Sequence, residues 1–201
     1  MAILDRNFYQ RPDVLQISKD LLGKYLFTKI DGEVAGGKIV ETEAYAHQGD
    51  QATQMHLNRR TTHTEVMYRS GGVAYVYTVY RVHRMFNIIT NKEGKPDAVL
   101  IRAIEPTVGL EVMQQRRNLS EAGPRLTAGP GMLTQALNIT PDHYGLDLTT
   151  GNVIWIEDRE EKVSEGETIA SPRVGIDYAG EDALLSWRFR IKDNPWTSKA
   201  K

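Results

Sequence analysis

The chain has no cysteine among its 201 residues. That absence excludes disulfides, cysteine-ligated zinc and iron–sulfur clusters together, and it fits a reducing compartment, the cytoplasm. Net charge is also nearly absent, at −1, so any affinity for nucleic acid has to come from local clustering of basic residues. No apolar run is long enough to span a bilayer. The start, Met1-Ala2-Ile3-Leu4-Asp5-Arg6, lacks the basic-then-apolar pattern of a signal peptide, so no membrane partner is expected. Repeats, low-complexity tracts and linkers are missing too, and the length suits one compact domain over 1–201.

What is present is unevenly placed. Residues 59–125 hold eleven Lys/Arg against six Asp/Glu, whereas 126–201 hold eight against twelve. Asp13 is placed to cap a helix with Val14, Leu15, Ile17, Leu21 and Leu22 on one side. Strands are expected at Leu26–Ile30 and Gly37–Tyr45, joined by a turn at Asp31-Gly32. Residues 46–64 read as a polar loop with Arg59 and Arg60 near its centre, and a loop that long is often functional. Val73–Val79 and Met85–Thr90 form a predicted hairpin with Tyr80-Arg81-Val82-His83 at its tip. Further strands are expected at Ala98–Ile104, Val153–Glu157, Ser171–Ile176 and Leu184–Ile191, and helices at Leu110–Arg117 and from Gly129-Pro130 to Leu137. The result is an α+β fold, with a mostly antiparallel curved sheet, flanking helices and a protruding β-hairpin.

Two strands carry the most chemistry. Alternation puts Glu41, Glu43 and Tyr45 on one face of the first, and Tyr75, Tyr77 and Val79 on one face of the second. A carboxylate flanked by aromatic rings from two strands can hold a flat ring and activate water beside it. An enzyme acting on a nucleobase taken out of the DNA stack needs that arrangement.

Five ordered blocks sharpen this reading: Ile39-Val40-Glu41-Thr42-Glu43-Ala44-Tyr45; Tyr75-Val76-Tyr77 through Tyr80 to Asn87; Ala98 to Pro106; Ala128-Gly129-Pro130-Gly131 with Leu133 to Leu137; and Arg173-Val174-Gly175. Together they resemble the mammalian-type 3-methyladenine (alkyladenine) DNA glycosylases from about Val14 to Trp196. The resemblance implies a monofunctional hydrolase of damaged purines in double-stranded DNA, without cofactor or metal. A monomer suffices for one lesion. Glu43 matches the family's base, and Arg102 and the Val174 backbone match groups that hold the attacking water. Glu41 is read as structural. Tyr45 and Tyr77 would sandwich the flipped base, with Gln54 at the position of a pocket histidine and Asn87 excluding bases with a 2-amino group. Tyr80 matches the residue that wedges into the duplex. The other hairpin-tip residues Arg81, Val82 and His83, with Arg59, Arg60, Gly131 and Met132, make up the expected DNA contacts.

The departures fall where DNA and base would bind. Gln54 replaces histidine, although His56 lies two residues on. Arg81 replaces a glycine, His63 an arginine, and Met132 a lysine that contacts phosphate. Ser186 replaces a proline. Gln54, Arg81 and Met132 motivate a rival reading, a protein that flips and holds lesions without excising them. A third reading, a hydrolase of free nucleosides, would leave Tyr80 and the basic hairpin without a role.

Overall fold

The computed structural model describes residues 1–57 and 60–199. In chain order the elements are β1 (Ala2–Ile3), α1 (Arg6–Tyr9), α2 (Val14–Asp20), β2 (Tyr25–Ile30), β3 (Glu33–Tyr45), α3 (Gln51–Leu57), β4 (Val73–Val79), β5 (His83–Thr90), β6 (Asp97–Val108), α4 (Leu110–Arg117), α5 (Pro130–Ala136), β7 (Ile154–Asp158), β8 (Thr168–Ser171) and β9 (Arg188–Ile191), with short 3-10 turns between them. The fold is α+β. One antiparallel sheet runs β1-β7-β2-β3-β6-β5-β4, and β9 joins it against β3 with β8 outside.

Strict alternation along the strands divides the sheet into two faces. Ala74 and Val76 of β4, Phe86 and Ile88 of β5, Val99 and Ile101 of β6 and Ala44 of β3 point into the main core, together with Ile17 and Leu21 near α2, Met113 of α4 and Leu133 of α5. Each large apolar side chain withdrawn from water there contributes roughly 1.5–3 kcal/mol. The intervening residues Tyr75, Tyr77, Met85, Asn87, Ala98, Leu100, Arg102 and Tyr45 line a cavity on the opposite face. Helices α2, α4 and α5 thus pack on the core side of the sheet, and the cavity opens on the other.

β3 is the strand on which the rest is hung. Its first half pairs with β2, and Glu41–Glu43 pairs with Arg190–Arg188 of β9, while β6 follows nearly its whole other edge. Register shifts against β6 at Gly36/Gly37 and on either side of Glu41 bend the strand. At Gly37 the partner backbone is so close that a Cβ would stand 2.1 Å from the Glu105 carbonyl oxygen.

Three expected features differ. The expected loop of 46–64 contains α3, which has no apolar stripe to announce it and is started by Asp50. That carboxylate accepts from the Ala52 N–H at 3.1 Å and the Thr53 hydroxyl at 2.9 Å. The strand expected at Ser171–Ile176 is instead Thr168–Ser171, because Arg173 turns inward to Asp50 and the Val174 N–H turns to Glu43. The strand expected at Leu184–Ile191 is confined to Arg188–Ile191, and 3-10 turns occupy Asp177–Leu184. Arg59 lies outside the described residues. Among the described residues no helix is long and apolar enough to cross a membrane.

Gly37→Ala is expected to cost about 3 kcal/mol or more, since backbone on the β6 side has to move. Urea denaturation checks this, and a loss under about 0.5 kcal/mol would show that the close approach relaxes freely.

Candidate active site and nucleic-acid interface

Glu43 is fully buried at the end of β3. Its Oε1 accepts from the Val174 N–H at 2.8 Å and lies 3.3 Å from Arg102 Nη1, and its Oε2 accepts from the Tyr45 hydroxyl at 2.8 Å. The three groups that hold it, Tyr45, Arg102 and Val174, all line the cavity, so Glu43 stands directly behind the cavity wall. Glu41, one pleat away, faces Arg102 Nε and Arg188 Nε, each at 2.8 Å. Burial alone would raise the Glu41 carboxyl. The two guanidinium groups, with the Ser198 N–H and hydroxyl, outweigh it and hold the pKa below the ordinary carboxylate range.

The cavity encloses about 560 Å³, within the range of small-ligand sites. Tyr45 and the Tyr75–Tyr77 pair supply aromatic walls, with the latter two ring centroids 5.1 Å apart. Behind Tyr45 lies the Arg173 guanidinium, 4.7 Å from the ring centroid and bidentate to Asp50 at 2.7 and 2.8 Å. Burial, then the Glu43 charge, pushes the Tyr45 hydroxyl far above its usual value. Burial likewise lifts Tyr77, and takes Tyr75 up to about 12. All three rings therefore stay neutral at working pH, and the Tyr45 O–H remains a donor. The Asn87 amide donates to the Tyr75 carbonyl at 3.4 Å beside the cavity.

Gln54 does not line this cavity. Residues two apart on α3 point in nearly opposite directions. Gln54 therefore faces away, donating to the His47 carbonyl at 3.4 Å, while Thr53 and His56, three apart, both line the wall. His56 Nε2 lies 3.2 Å from the Tyr178 hydroxyl, which lines the cavity as well. Thr53 and Tyr178 carry little signal in the sequence, because the first lies in a polar stretch that reads as loop and the second falls between two expected strands.

Tyr80 borders the cavity and is 88% exposed at the tip of the β4–β5 hairpin. Tyr80 and Arg81 have φ of 50° and 62°, and the Val82 N–H closes the turn on the Val79 carbonyl at 3.2 Å. An adjoining groove of about 710 Å³ shares Met85 and Pro130 with the cavity and brings together Val82, His83, Arg84, Gly131 and Met132. Arg60 is paired with Glu65 at 2.6 Å on the surface and is outside both the cavity and the groove. Among the described residues no group of three or more His, Cys, Asp or Glu is arranged to hold a metal ion.

A family model described as methylpurine-DNA glycosylase matches residues 7–195. The chain is 43% identical over 196 residues to a protein of Natranaerobius thermophilus named "Putative 3-methyladenine DNA glycosylase", covering 97% of this chain and 98% of that one. Proteins of the same name from Clostridium novyi and Bacillus licheniformis are 39% and 43% identical. They cover 99% and 98% of this chain, and 100% and 96% of their own length.

Two stability measurements follow from this geometry. Because the folded Glu41 pKa is depressed, its contribution is complete above the unfolded carboxylate range and is lost as pH falls through the lower folded value. Unfolding free energies from pH 7 downward should show that acid limb. Glu41→Gln should flatten it and cost about 3–5 kcal/mol at neutral pH by leaving buried guanidinium charge uncompensated. Arg81→Gly should relieve the left-handed backbone and raise stability by about 0.5–1 kcal/mol in chemical denaturation. A destabilised variant would mean that the arginine side chain contributes more than the turn costs.

Proposed function

The chain belongs to the methylpurine-DNA glycosylase family and is a hydrolase of N-glycosidic bonds, and we propose that it removes alkylated or otherwise damaged purines from duplex DNA by flipping them into the cavity. The observation that carries this reading is the convergence on one cavity of two aromatic walls, the three groups that hold Glu43, and an exposed tyrosine at the mouth. Tyr80 enters the duplex and fills the gap, in the manner of wedges that bend and unstack DNA. The purine stacks between Tyr45 and Tyr77, a contact worth about 1–3 kcal/mol per base and stronger for a ring carrying positive charge.

Bond cleavage leaves positive charge on the sugar, which the Glu43 carboxylate stabilises as it directs water to C1′. Arg102 and the Val174 backbone fix that carboxylate. Asn87 disfavours purines with a 2-amino group by placing an amide where that group would project. The product is an abasic site, because no lysine or amino-terminal nucleophile takes part. The groove around His83, Arg84 and Gly131 carries the DNA backbone. One chain serves one lesion, so the protein acts as a monomer in the cytoplasm, with the chromosome.

A second reading, lesion binding without excision, draws on one observation: protein donors already engage both Glu43 oxygens. Single-turnover excision from duplexes carrying one damaged purine each separates the two. The expected result is alkali-labile product from the wild type and a loss of about 10²-fold or more in Glu43→Gln with binding retained. Lesion-selective binding by the wild type with no product would establish the second reading, and full activity in Glu43→Gln would remove Glu43 from the reaction.

A further inference from the structure

The charge cluster behind the cavity includes Ser198, which lies outside every motif and outside the proposed reaction. The segment after β9 brings it there. Trp196 of that segment packs against the main core, and the Asn194 amide donates to Glu105 at 2.9 Å. Ser198 is only 6% exposed. Its N–H donates to Glu41 Oε2 at 2.5 Å, and its hydroxyl donates to Glu41 Oε1 at 2.8 Å. The same hydroxyl oxygen accepts from Arg188 Nη2 at 3.2 Å and Arg102 Nη2 at 3.5 Å. A hydroxyl has one proton and two lone pairs, and here all three are engaged by charged groups.

The consequence lies in Arg102. Its planar guanidinium is held at Nε by Glu41 and at Nη2 by Ser198, which leaves Nη1 directed at Glu43 Oε1. Fixing two nitrogens of a rigid plane fixes the direction of the third. We infer that Ser198 is a positioning residue for the glycosylase reaction. Acting through Glu41 and Arg102, it keeps the Glu43 carboxylate seated against the Val174 N–H. The inference rests on the reading of Glu43 as the group that directs water.

Loss of the hydroxyl frees Arg102 to rotate about its Nε anchor, and small displacements of a catalytic group are costly in rate. Ser198→Ala should therefore lower the single-turnover excision constant about tenfold at saturating enzyme, well below the melting temperature, while lesion affinity stays within about twofold. Ser198→Thr, which restores the hydroxyl, should recover most of the rate. If the alanine protein does not fold, Ser198→Cys keeps the volume with a weak donor and serves the same comparison. A wild-type rate in Ser198→Ala, a rate loss matched by lost affinity, or a folded threonine variant as slow as the alanine one would each overturn the positioning role. Excision by the wild type with an unaffected Ser198→Ala defeats only this inference. A wild type that excises no damaged purine defeats the function on which it rests.

Discussion

Everything at the front of the sheet depends on a buried carboxylate, Glu41, shared by two buried arginines. Glu41, Arg102 and Arg188 sit where β3, β6 and β9 meet, so the charges are withdrawn from water by the same packing that joins the strands. Removing such charges from solvent is expensive unless each finds a partner. Here the compensation is nearly complete: Glu41 accepts from both guanidinium groups and from Ser198, and Arg102 also reaches Glu43. Well-packed apolar residues often stabilise such a junction as well as buried ion pairs do. What the ionic cluster adds is direction, since guanidinium forks hold carboxylates in fixed orientations.

The aromatic side of the site is built on the same economy of placement. Tyr45 touches three things at once: its hydroxyl holds Glu43, its rear face meets Arg173, and it borders the cavity. Arg173 in turn clamps Asp50, the residue that starts α3. The buried Glu43 carboxylate, the aromatic wall at Tyr45 and the helix bounding the cavity are thus connected through one buried arginine. By contrast the hairpin that carries Tyr80 extends away from this network, with its exposed tip held by a single backbone turn.

The sheet was legible in the sequence because alternation states it outright: Tyr75/Val76/Tyr77 and Leu100/Ile101/Arg102 name their two faces residue by residue. The two-residue turn at Asp31-Gly32 was legible as well, and both residues have positive φ. The cluster of Tyr45, Tyr77, Asn87, Arg102 and Val174 could be named from motif order, but its mutual geometry could not. Helix α3 was hidden because its short polar sequence shows no apolar stripe, and its anchors are one carboxylate, a distant arginine and the buried Ala52. That concealment also misplaced Gln54, since a helix turns residues 54 and 56 to opposite sides. Ser198 was invisible for a related reason. A lone serine among polar residues carries no pattern, and only the folded chain shows it between Glu41 and two arginines.

The way α3 is fastened has a consequence for how such a site changes over time. The helix supplies Thr53 and His56 to the cavity wall, packs Ala52 with Tyr45, Ile176 and Ala179, and is tied back to β3 by Asp50 and Arg173, which also donates to the Ala44 carbonyl. Its exposed residues, Gln51, Gln54 and His56, can be exchanged without disturbing the sheet, provided that clamp and the packing of Ala52 are kept. The helical side of the cavity wall and the buried charge cluster behind it are therefore separately mutable. A lineage can vary what the cavity admits while the charge cluster behind it stays frozen by the cost of unpairing buried charges.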